Sequence, residues 1–153
     1  MQKKSLSYKN STISYAMGGQ GKDIIIALHG YGENAENFSF LESHLQNDFS
    51  IIAIDFPFHG ESIWNDDLIF TAKNLYEIIY KLIPVDTKQF YLLGYSMGGR
   101  VALQFLEQYP ETIKRLILIA PDGLYNNFWH QLATQTIIGN RIFKFTMQYP
   151  AVL

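Results

Sequence analysis

No cysteine occurs among the 153 residues, which excludes disulfides, thiolate nucleophiles, CxxC redox chemistry and cysteine-ligated zinc or iron–sulfur sites. Neither sign of charge dominates: 12 basic side chains stand against 14 acidic ones, a net charge of -2 with a pI near 6.0. No broad basic field is therefore available, and neither nucleic acid nor an anionic membrane surface is expected as a partner. Apolar runs are short. Ile24 to Leu28 and Leu116 to Ala120 fall far below the ~20 residues that cross a bilayer as a helix. After Met1-Gln2-Lys3-Lys4, polar Ser5, Ser7, Lys9, Asn10 and Ser11 stand where a signal peptide needs an apolar stretch. A cytoplasmic location is expected, and chemistry must come from hydroxyl, imidazole, carboxylate or backbone groups.

The composition, 48% hydrophobic and 17% charged, describes a soluble globular domain without repeats, linkers or low-complexity tracts. Apolar runs alternate with amphipathic stretches, the pattern of an α/β layer structure on a largely parallel sheet. Leu6-Ser7-Tyr8 and Ile13-Ser14-Tyr15 alternate in period two and predict an antiparallel hairpin around residues 9–12. Buried strands are predicted at Ile24 to Leu28, Ser50 to Asp55, Phe90 to Gly94 and Leu116 to Ala120. Helices are predicted from Ala35 to Leu45, through Leu75, Ile78, Ile79 and Leu82 with Asp66 or Asp67 as cap, and from Met97 to Tyr109. From Leu124 to Leu153 the apolar residues show no strand-like alternation and predict amphipathic helices.

Gly94-Tyr95-Ser96-Met97-Gly98-Gly99 lies between a predicted strand and a predicted helix and matches the G-x-S-x-G nucleophile elbow in spelling and context. Such a turn presents a serine hydroxyl at the carboxyl edge of the sheet, with Gly94 and Gly98 allowing strand and helix to approach closely. At a helix N-terminus, unpaired amides favour the negative charge that develops during acyl transfer. The Met97 amide follows the nucleophile. The Tyr31 amide, after His29-Gly30 at another strand end, is the candidate second oxyanion donor.

With the His29-Gly30-Tyr31-Gly32 turn and the elbow in place, the chain resembles the α/β-hydrolase superfamily. Asp55-Phe56-Pro57-Phe58-His59-Gly60-Glu61-Ser62 is similar to the family's D-x-P-G-x-G-x-S turn, with Phe58 standing where glycine is usual. The resemblance implies an α/β-hydrolase fold, a mostly parallel sheet with flanking helices. By that resemblance, residues 1–123 form the N-terminal part of the core and residues 124–153 the start of a helical cap, so that the fold stops after its sixth strand. The elbow with Arg100 also resembles the menaquinone-pathway synthase branch, in which the arginine after the elbow helps bind substrate carboxylates. Arg100 is thus either a substrate ligand or a helix-surface arginine paired with an acid.

The family's order is serine, acid, histidine, and the strands that usually carry the last two have no counterpart here. Asp122, past a strand end, reads as an ordinary turn residue, and His130 as a residue of an amphipathic cap helix. His29 and His59 read as turn residues bonded to backbone, and His44 as a helix-surface residue. The intact protein is expected to be a serine hydrolase of an ester, thioester or related acyl bond, with the chain inactive alone. The alternatives are a synthase-like lyase and a non-catalytic interaction module. The last predicted strand forms an edge to be covered by a second copy or by a C-terminal remainder. No cofactor is expected. Nucleotide binding is disfavoured, because Ser96 stands where G-x-G-x-x-G needs glycine, and no H-x-x-x-H pair suggests a metal.

Overall fold

The apolar runs of the predicted parallel strands show no alternation of apolar with polar residues, so both faces of the sheet need a covering layer. A computed structural model shows how this is met; it describes residues 1–66 and 69–122. The predicted segment 124–153 lies outside the described residues, as does Asp67. Within Met1–Asp122, one compact unit, six strands form a single sheet in the order β1-β2-β4-β3-β5-β6. They are β1 (Gln2–Tyr8), β2 (Ser11–Gly18), β3 (Asp23–Leu28), β4 (Phe49–Ile54), β5 (Phe90–Tyr95) and β6 (Ile113–Ile119). β1 and β2 are antiparallel, and β2 joins antiparallel to β4. β4, β3, β5 and β6 then run parallel to one another.

The hairpin turn is tighter than residues 9–12 suggested. Tyr8 pairs with Ser11, leaving Lys9 and Asn10 to make the turn, with Lys9 at φ 51°.

Period-two alternation along the strands feeds two cores. Ile24, Ile26 and Leu28 of β3 pack with Ile52, Ile54, Phe90 and Leu92, and with helices α2 (Ala72–Leu82) and α3 (Met97–Gln108) through Leu75, Ile78, Ile79, Ala102 and Phe105. Ile25 and Ala27 face the other way with Ile51, Ala53 and Leu93. They are covered by a 3₁₀ turn at Ala35–Phe38 and by α1 (Ser39–Leu45). Burying each Leu or Ile of α2 contributes about 1.5–3 kcal/mol, which is why this face governs where the helix forms.

The start of α2 corrects one expectation. Thr71, not Asp66 or Asp67, is the N-cap: its hydroxyl accepts from the Asn74 amide, and the Asn74 side chain accepts in return from the Thr71 amide. Such a reciprocal box is worth about 1 kcal/mol. Asp66 instead accepts a 2.6 Å hydrogen bond from the Ser11 hydroxyl.

β6 begins earlier than the apolar run Leu116 to Ala120 suggested. Lys114 and Arg115 lie within it, exposed, and Lys114 pairs with Asp23 at 2.8 Å. Among the described residues β6 pairs with β5 alone. It turns Leu116 and Leu118 toward the α2/α3 core and leaves Ile117 and Ile119 39% and 44% exposed.

Candidate active site

The carboxyl ends of β3, β4 and β5 converge on three turns. At the first, β5 gives way to α3 through Ser96, whose backbone stands at φ 49°, ψ −116°. That conformation is strongly disfavoured for an L-residue and costs of order 1–3 kcal/mol. Main-chain hydrogen bonds hold it there. The Ser96 amide donates to the Ile119 carbonyl at 3.0 Å, and the Ser96 carbonyl accepts from Gly99 at 2.9 Å, Asp122 at 3.0 Å and Arg100 at 3.3 Å.

Close packing holds it as well. A Cβ on Gly94 would stand 2.6 Å from the Gly98 carbonyl oxygen. One on Gly98 would collide with the Leu28 carbonyl and stand 2.7 Å from the His29 carbonyl oxygen. The glycines at these two elbow positions therefore let α3 dock end-on against the terminus of β3.

The second turn follows β3. His29 is fully buried, and both ring nitrogens are used: Nδ1 lies 2.7 Å from the Gly30 carbonyl oxygen, and Nε2 accepts from the Phe56 amide at 3.0 Å. Acceptance at Nε2 places the proton on Nδ1. Burial, the largest influence, lowers the His29 pKa below its usual 6.5, so the ring is a neutral tie between the ends of β3 and β4. The Glu33 carboxylate accepts from the Gly30 amide at 3.1 Å. Tyr31 beyond it is 80% exposed, with its ring edge-on to His59 at 5.6 Å. Among the described residues, neither the Tyr31 amide nor the Met97 amide has a hydrogen-bond acceptor.

The third turn follows β4 and is organised by Asp55, whose role the sequence reading missed. This buried carboxylate accepts from the Ala35 amide at 2.6 Å and the Glu61 amide at 3.3 Å, while the Asp55 carbonyl accepts from the Ser62 hydroxyl at 2.8 Å. The signal lay in its place at a strand end before a Pro/Gly turn. Phe58, standing where the family has glycine, keeps the left-handed backbone, φ 64°. A bulky side chain there is a genuine outlier, at roughly 1–2 kcal/mol. His59 Nδ1 lies 2.9 Å from the Pro57 carbonyl oxygen.

Beside these turns lies a cavity of about 370 Å³, walled by Phe56, Phe58, Trp64, Phe70, Met97 and Val101, with His59, Arg100 and Gln104 among its polar members. Arg100 is the only Lys, Arg, Asp or Glu on that wall among the described residues. It is exposed and has no carboxylate partner among the described residues. Of its two readings, pairing with an acid therefore lacks a partner there.

The Ser96 side chain is half-buried and makes no hydrogen bond to a described residue. Asp122 sits in a turn and contributes its amide to the elbow. His44 is an exposed residue of α1, Nδ1 3.0 Å from the Phe40 carbonyl oxygen, and His130 lies outside the described residues. Among the described residues no cluster of three His, Asp or Glu is placed to hold a metal.

A serine hydrolase-like protein of Danio rerio is 36% identical over 101 residues, covering 65% of this chain and 31% of that protein. The pimeloyl-[acyl-carrier protein] methyl ester esterase of Aeromonas hydrophila is 28% identical over 130 residues, 84% of this chain and 50% of that one. Among solved structures, a putative lipase from Acinetobacter baumannii superposes with a TM-score of 0.71 at 29% identity, over 82% of this chain and 43% of its own. The chain thus spans between 31% and 50% of the length of these relatives. The model of the α/β-hydrolase fold matches residues 23–148, so that all three turns fall inside it, and the chain belongs to the α/β-hydrolase family.

Proposed function

We propose that the intact protein is a serine hydrolase acting on an ester, thioester or related acyl bond, with Ser96 as nucleophile. The observation that carries this reading is the Ser96 backbone, held at φ 49°, ψ −116° between strand and helix by bonds that leave its hydroxyl without a partner among the described residues. Ser96 Oγ attacks the substrate carbonyl and gives its proton to an imidazole base. The tetrahedral oxyanion is held by the Tyr31 and Met97 amides, the leaving group departs with the proton, and water hydrolyses the acyl-enzyme. Relatives named as a serine hydrolase-like protein and a methyl ester esterase support the acyl-ester class.

His29 is unsuited to act as the base, since both of its nitrogens are committed to backbone. In this reading the 153-residue chain alone has no turnover, and an acid and a histidine beyond the described residues complete the site. The edge of β6 is then covered by a C-terminal remainder or a second copy, in a cytoplasmic protein whose partner is a small acyl substrate. A fluorophosphonate probe on the intact protein tests the nucleophile: labelling is expected in the parent and absent in Ser96→Ala, and labelling that survives the substitution ends the reading.

A synthase-like elimination is the second reading, favoured by Arg100, exposed on the cavity wall without a carboxylate partner among the described residues. There the serine acts as a base and Arg100 binds a substrate carboxylate. An acyl adduct on Ser96 trapped during turnover contradicts elimination.

A further inference from the structure

The rings around the cavity beside Met97 fall into two kinds. Phe56, Trp64 and Phe70 have a packing reason to be where they are. Phe56 meets Phe70 edge-on at 5.9 Å and His29 at 5.0 Å, and Phe70 meets Trp64 edge-on at 5.4 Å. All three pack in or against the α2/α3 core. Phe58 has none. It belongs to neither core, meets no other ring among the described residues, and is 71% exposed, yet it holds a backbone at φ 64° that glycine would adopt without strain. Strain kept at a residue that contributes no burial is a pointer to use rather than to folding.

The ring's place shows what that use is. It forms the free side of a cavity whose other walls are mainly the rings of Phe56, Trp64 and Phe70 and the side chains of Met97 and Val101, with His59, Arg100 and Gln104 as the polar part of the rim. At about 370 Å³ the space lies within the range of small-molecule sites. Aromatic walls favour an aromatic guest through offset-stacked and edge-to-face contact.

We propose that Phe58 is a specificity-determining residue, the outer wall of a subsite for an aromatic acyl group, such as phenylacetyl, next to the elbow. This rests on the serine-hydrolase reading for its placement of the reacting carbonyl, while the binding of the ring stands apart from turnover. The left-handed turn therefore gives up stability to hold a ring that no described residue covers and a ligand would.

Titration calorimetry of the intact protein with phenylacetamide, an uncharged phenylacetyl compound, tests the subsite without requiring catalysis. Phe58→Gly is expected to weaken binding about tenfold, with an unfolding midpoint equal to or above that of the parent. Phe58→Asn, which tolerates the left-handed backbone and lacks the ring, should do the same, and Phe58→Tyr should restore affinity. Phe40→Ala, which removes an exposed ring outside this cavity, should leave affinity within twofold.

Absence of binding by the parent, equal affinity in Phe58→Gly, an equal loss in Phe40→Ala, or a lowered midpoint in Phe58→Gly each overturn the proposal. Loss of Ser96-dependent ester turnover with Phe58-dependent binding intact would instead count against the hydrolase reading alone.

Discussion

Ser96 and Phe58 both hold an L-residue at positive φ, 49° and 64°, and the two turns keep that strain by different means. At Ser96 the main chain does the holding. Four backbone hydrogen bonds tie the residue to the end of β6, to Asp122 in the turn beyond it and to the first turn of α3, and the glycines at positions 94 and 98 bring α3 against β3. At Phe58 the frame is a neighbouring carboxylate, Asp55, which gathers the Ala35 and Glu61 amides while Phe58, largely exposed, lines the cavity beside Met97. The difference separates strain that serves the position of a hydroxyl from strain that serves the position of a ring. In the first, replacing the side chain is expected to leave the fold intact; in the second, removing it is expected to relieve the fold.

The sharpest test of this contrast is Gly98→Ala. Its Cβ meets the Leu28 carbonyl, which is backbone and has nowhere to go. A loss of about 3 kcal/mol is expected by denaturant unfolding, the upper end for overpacking. A loss under about 1 kcal/mol would mean that the close approach of α3 to β3 is not required.

Gly60→Ala is next. At φ 54° its Cβ would meet the Asp55 carboxylate, and about 2 kcal/mol should be lost by the same measurement.

His29, which joins β3 to β4, gives a pH signature. Because burial lowers its pKa below 6.5, the unfolded chain binds a proton in that window that the native ring refuses, so stability rises with pH there. The contribution is complete above about pH 6.5 and is lost as pH falls through the lowered native value. The slope attributable to this one group is at most about 1.4 kcal/mol per pH unit. Unfolding midpoints measured from pH 7.5 down to 5 should fall in the parent and fall less steeply in His29→Gln; parallel curves would remove His29 as the cause.

The smallest effect has the opposite sign. Phe58→Gly should stabilise by about 0.5 kcal/mol, strain relief slightly exceeding the added freedom of the unfolded chain. Destabilisation there would erase the distinction between the two turns.

Much of this arrangement can be read from residues alone, for physical reasons. Strands buried on both faces write themselves as continuous apolar runs, so Ile24 to Leu28 and Phe90 to Gly94 locate β3 and β5 within a residue. The elbow is legible because its glycines are fixed by collisions with backbone, a constraint that leaves little freedom of spelling. What was illegible depends on partners distant in sequence. The helix starts only at Ala72, where Thr71 and Asn74 close the capping box, and Asp66 is engaged instead by Ser11, 55 residues away in sequence.

β6 began earlier than its apolar run because an exposed edge tolerates Lys114 and Arg115. Asp55 looked like part of a turn motif, and only the fold brings the Ala35 amide to its carboxylate. Phe58 broke the family's spelling without breaking its geometry, since the frame around it, not glycine, sets φ.

The account rests on Ser96 being presented to a carbonyl whose oxygen meets two free amides. A crystal structure of the intact protein after reaction with a fluorophosphonate tests this most directly. It should show phosphorus bonded to Ser96 Oγ, with the phosphoryl oxygen roughly 3 Å from the amides of both Tyr31 and Met97. An adduct on any other residue, or a phosphoryl oxygen turned away from Tyr31, contradicts it.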